Sequence, residues 1–259
     1  MRVVYRPVAA TVLAAGTDGA ADPEGAFDAL YLHSAGALRR QVAVLTGDRE
    51  LAARAVRRAF DLAWQRWPEV ARDSDPAGWL RAAAHTYAMT PWQRLLRRHR
   101  KNRGKDAADR GALAQALVRL HPERRRALLL HDGLGLSLAV TAAEVESSTT
   151  AAASRIIGAR RQLASAAPDE YDGGDAGPHL TALLAAEPGL PEGEPAPAGM
   201  REYSERGVRR RTVGAFAAAG VIVLATTVGV IVGPDHSPRP SHSPAQQQVQ
   251  QPAVPSAGG

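Results

Sequence analysis

From Pro23 onward, apolar residues return along the chain at helical spacing, and the polar positions between them carry signals that start and stop helices. Asp48 is placed to cap a helix that runs past Val56 and Phe60. Asp75 followed by Pro76 is a cap with proline at the first helical position, and it opens a helix containing Trp79; Thr90-Pro91 repeats the device. The second half follows the same pattern. Pro122 and Glu123 open a helix whose apolar face includes Leu128, Leu129 and Leu130, and Gly133 and Gly135 stop it. Ser137 caps a short helix through Val145, Glu146 to Ser148 make a turn, and Thr149 or Thr150 caps a last helix to about Ala164. In that helix Ala153, Ile156, Ile157 and Leu163 are expected to be buried, leaving Ser154, Arg155, Arg160 and Arg161 to solvent. Two helices around a tight small-residue turn, the second ending in arginines, predict a helix-turn-helix DNA reader; an ordinary helical hairpin with a basic face is the alternative.

The pattern predicts an all-α chain with two small helical domains, at 23–100 and 110–165, and a polar linker at 101–109. Residues 1–22 are Ala/Gly-rich and expected to be disordered; Arg6 and Pro7 cut into their apolar stretch and argue against a cleaved export signal. Residues 166–211 are rich in Pro, Gly and acids, which predicts a flexible linker with a short amphipathic helix at His179 to Ala186. Val213 to Gly233 carries no charge and is long enough to span a bilayer, so 212–233 is expected to be a transmembrane helix in contact with membrane lipid. Arg206, Arg209, Arg210 and Arg211 precede it, which predicts a cytoplasmic amino-terminal side and a disordered external tail at 234–259.

Charge location adds to this picture. The 259-residue chain has a formal net charge of +6. Arg94, Arg97, Arg98, Arg100, Lys101, Arg103 and Lys105 form a run without an acid, suited to a phosphate backbone or to a solvated linker. The chain has no cysteine, which excludes disulfides and thiolate metal sites, and its eight histidines form no ligand pair. No phosphate-binding glycine loop, nucleophile elbow or zinc-protease motif occurs, so neither an enzyme, a cofactor nor a metal site is expected.

Phe27-Asp28-Ala29-Leu30-Tyr31, Gly47-Asp48, Ala55-Val56-Arg57-Arg58-Ala59-Phe60, Ala63-Trp64 and Gly78-Trp79-Leu80-Arg81 follow in an order that resembles the second domain of bacterial RNA polymerase sigma factors of the extracytoplasmic-function type. Ala116 to Leu130, with Gly135-Leu136-Ser137 and the ending Ala159-Arg160-Arg161-Gln162-Leu163, is similar to the family's fourth domain. The resemblance covers about Ala26 to Ala164. It implies a transcription initiation factor whose partners are promoter DNA, core RNA polymerase and an anti-sigma or protease regulator. On it, Thr149, Thr150, Ser154 and Arg155 face bases or phosphates and Arg160 and Arg161 hold the backbone. Trp67, Trp79, Arg81, Arg97, Arg98, Arg100 and Lys101 are implied at the melting element, and Arg54, Arg57, Arg58 and Asp61 at the polymerase. Several positions depart from the pattern. Arg57 and Arg58 stand where the family has glutamine and acid, which predicts weaker core binding. Ala151, Ala152 and Ala153 replace a stretch that usually includes a lysine, and Thr86 and Thr90 stand where Asn and Asp are common. Two other readings remain: a tethered helix-turn-helix regulator without polymerase engagement, and a sigma-like fold that binds only a protein partner.

Overall fold

The computed structural model describes residues 22–90, 111–190 and 196–207, and every regular element among them is helical. Helix α1 (Pro23–Thr46) begins where Asp22 accepts a hydrogen bond from the Gly25 N–H at 2.9 Å. It ends at Gly47, whose left-handed φ of 67° lets its N–H reach the Ala43 carbonyl at 2.7 Å. The chain reverses there, and Asp48 caps α2 (Arg49–Gln65) by accepting from Leu51 N–H at 2.7 Å. A single turn, α3 (Trp67–Val70), leads to α4 (Pro76–Met89), capped by Asp75 through the Gly78 N–H at 2.9 Å. The caps expected at Asp48 and Asp75 are formed. Thr90 ends α4, and its predicted role ahead of Pro91 falls outside the described residues.

These helices close on an aromatic core. Phe27 meets Phe60, Trp64 and Trp67 edge-on, at centroid separations of 5.8, 5.0 and 5.5 Å. Tyr31, Leu30, Leu51 and Leu80 complete it.

A second, aliphatic core gathers α5 (Ala112–Arg119), α6 (Pro122–Leu128), α7 (Leu138–Glu144) and α8 (Thr149–Ala166). Helix α6 runs directly into a π turn at Leu129–Gly133, closed by the Leu134 N–H on the Leu129 carbonyl at 2.9 Å. Leu128, Leu129 and Leu130 are all fully buried. Three consecutive residues of a regular α-helix spread over about 200° of its surface, so the widened turn lets the neighbouring helices enclose all three.

The stretch expected to be a flexible linker is instead folded wherever it is described. Glu170 accepts from the Ala112 and Leu113 N–H groups, each at 2.8 Å, which clasps the start of α5. Those donors favour its ionised form and hold the carboxyl below its usual range. Tyr171, Ala176 and Leu180 are buried in the second core, and Leu180 comes from α9 (Gly177–Ala186). Glu187 accepts from Arg49 Nε at 2.9 Å, and a final helix, α10 (197–207), inserts Met200 into the first core. Proline, glycine and acid dominate the composition, but Tyr171, Leu180, Leu190 and Met200 each pack against one of the two cores. The described residues therefore belong to one compact unit.

The membrane assignment is overturned. No helix among the described residues is long and apolar enough to cross a bilayer. The 24-residue α1 has the length, but it carries Glu24, Asp28, Arg39 and Arg40. Segment 212–233, on which the cell-membrane location and external tail depended, lies outside the described residues.

Candidate nucleic-acid interface

Ser137 caps α7 by accepting from Val140 N–H at 3.3 Å, and the turn after Glu144 includes Glu146 at a left-handed φ of 50°. The cap of α8 is Ser148, which accepts from Ala151 N–H at 3.2 Å; the sequence pointed to Thr149 or Thr150. Both threonines therefore lie in the first helical turn with exposed side chains.

Helix α8 packs on α6 through Ala152, Ile156, Ala159 and Leu163, a repeat of i, i+4, i+7 and i+11. At 100° per residue, Thr150, Ser154, Ile157 and Arg161 fall on the opposite side, and all four are exposed. This corrects the expected stripe: Ala153 is half-buried, and Ile157 is 54% exposed. Ala152 and Ala159 take the places assigned to Ala153 and Ile157.

The flanks of α8 are held by charge. Arg155 Nη2 lies 2.9 Å from Glu123, and Arg160 makes a two-pronged contact with Asp132 at 2.8 and 2.6 Å. The Asp132 hydrogen bonds hold the Arg160 guanidinium above its usual range. Arg160 therefore aims α8 from within the protein and is not a free phosphate ligand. Arg161 is exposed and makes no ion pair among the described residues.

Other expected contact residues are located differently. Arg81 is only 2% exposed: its guanidinium grips Glu144 at the end of α7, and Asp75 lies 3.5 Å away. It ties α4 to α7 and is turned away from solvent. One turn further, His85 is fully buried with neither ring nitrogen hydrogen-bonded among the described residues. Burial first, then the positive charges of Arg126 and Arg81, push its pKa well down and keep it neutral. Trp67 is buried in the aromatic core. Trp79 is half-buried and lines an open groove of about 400 Å³ with Tyr87, Leu62 and Arg58. Arg97, Arg98, Arg100 and Lys101 lie outside the described residues.

On α2, Arg54 pairs with Glu50 at 2.7 Å and Arg58 with Asp61 at 2.5 Å, while Gln65 donates to Asp61 at 2.7 Å. Of the two arginines that reverse the expected charge, Arg58 is thus balanced within its own helix, and Arg57 is exposed. Sequence reasoning missed Glu144, Asp132 and the acidic pair Glu24 and Asp28, which receives Arg201. Only local pairs such as Glu50 and Arg54 leave a signal in the spacing of residues. No family model matches this chain, and no curated protein matches its sequence.

Proposed function

We propose that the chain is a sigma-like transcription initiation factor, in which α7 and α8 read duplex promoter DNA and the first helical region meets core RNA polymerase. The observation that carries this reading is the outward face of α8. Thr150 and Ser154 present hydroxyls able to bond base edges, Ile157 offers an apolar surface to a thymine methyl, and Arg161 offers a guanidinium to guanine or phosphate. A helix pinned by ion pairs on both flanks keeps that face at a defined angle, as groove reading requires. Trp79 and Tyr87 line an aromatic groove suited to an unstacked base.

Selection from random duplexes, followed by titration, tests the reader. Arg161→Ala should weaken binding of the selected site and lower the salt slope by about one. Ser154→Ala should relax preference at one position, by about 1–3 kcal/mol if its contact is to a base edge. Failure to enrich any sequence sinks the reading. In vitro transcription from the selected site with purified core enzyme tests the polymerase half. Exposed Arg57 beside Arg58 favours a second reading, a DNA-binding regulator that leaves polymerase alone; sequence-specific binding without core capture in a pull-down is its signature.

A further inference from the structure

The α1–α2 face around Trp64 is occupied by the chain itself. Arg201 of α10 lies over the Trp64 ring, its guanidinium carbon 5.7 Å from the centroid. The same guanidinium bonds both Asp28 carboxylate oxygens at 2.9 and 3.1 Å and reaches Glu24. Beside it Met200 is 4% exposed within the aromatic core, and the Ser204 hydroxyl donates to the Asp61 carbonyl at 3.2 Å. An apolar residue, an arginine beside it and a small hydroxyl three residues later thus face the seat. The outer residues, Glu202, Tyr203, Glu205 and Arg206, are exposed.

We propose that this seat is a docking site for a cationic amphipathic helix of a protein partner, and that α10 is an internal competitor that must leave before the partner binds. The chemistry of the seat selects the partner. Glu24 and Asp28 repel phosphate and so reject nucleic acid, while Trp64 and the two carboxylates accept a guanidinium next to an apolar anchor. A helix as short as α10 is marginal in water, so its order depends on the seat and is lost when a partner takes its place. Identifying the partner as core polymerase rests on the reading above; the seat and its competitor do not.

The full chain and its Arg201→Glu variant carry the test, with Met200→Asp as a second variant if the first loses helical content. Amide exchange should show 197–207 protected in the wild type and released in the variant. A synthetic peptide of residues 196–207 should bind the variant on the order of tenfold more tightly than the wild type, whose seat is filled. The same peptide with arginine replaced by glutamate should not bind. Equal exchange of 197–207 in both chains, or no peptide binding to either variant, overturns the proposal. Core polymerase should follow the peptide, binding the variant on the order of tenfold more tightly. Peptide binding without polymerase binding leaves the seat standing and removes the polymerase reading.

Discussion

The two cores of this chain are built from different materials. The first closes around Phe27, Tyr31, Phe60 and Trp67, whose rings meet at steep angles. The second is lined by Leu113, Leu117, Leu128, Leu129, Ile156 and Leu163, with Tyr171 as its one buried aromatic among the described residues. Edge-to-face rings contribute roughly 0.5–1.5 kcal/mol per pair beyond their burial and restrict how helices can rotate. Aliphatic side chains carry no such preference, so helix orientation in the second core is set at its margins by Arg160 on Asp132, Arg155 on Glu123 and Arg81 on Glu144. Helix α8 is therefore aimed by charge, whereas the first region is aimed by shape.

The largest effect should come from removing shape where it matters most. Phe27→Ala deletes a ring that touches three others and should cost about 3–5 kcal/mol in denaturant melts. A loss below 1 kcal/mol would remove the aromatic side of the comparison. Arg81→Ala leaves Glu144 without its partner at the junction of α4 and α7 and should cost about 3 kcal/mol. Arg81→Met with Glu144→Leu should recover most of that loss. If the double variant is as unstable as the single one, packing rather than charge holds the junction.

A smaller effect concerns pH. His85 is neutral in the fold and its pKa is lowered by burial and by Arg126 and Arg81, so the unfolded chain binds the extra proton first as pH falls. Its contribution is complete above an unfolded pKa of about 6.5 and declines below it, at no more than about 1.4 kcal/mol per pH unit, until the lowered folded pKa is reached. Melts of wild type and His85→Leu between pH 7.5 and 5 should diverge in slope, the variant being flatter; parallel curves would show that His85 is not the titrating group. Smallest of all, Ile157→Ser should change stability by less than about 0.5 kcal/mol while its neighbour Ile156→Ser costs several times more. Equal costs would mean that the outward face of α8 has been assigned to the wrong residues.

Much of the local structure is legible in the sequence. Asp48, Asp75 and Ser137 act within three residues of the N–H groups they satisfy, so a short window contains the whole interaction. The site is harder to read. Ile156 and Ile157 are equally apolar, and the choice between them depends on Ala152 and Ala159, residues too small to announce a buried stripe. Arg81 looks like a surface cation until Glu144, sixty-three positions away, is brought to it. Segment 165–207 carries the composition of a linker, and the order of its described residues depends on a few anchors such as Tyr171, Leu180 and Met200, each meeting a core that no local pattern describes. Long-range charge and sparse anchors thus define the pose of α8, and both are invisible to periodicity.

The wide turn at Leu129–Gly133 has a consequence for how this chain tolerates changes of length. A π turn is one surplus residue stored inside a helix. Losing one residue there would let the segment heal into ordinary α geometry, so the deletion would be absorbed without severing the helix. Asp132 lies inside the turn, so the same deletion would carry its two oxygens away from Arg160. The turn thus sets where Asp132 meets α8, and the loss of a single residue there is enough to release Arg160.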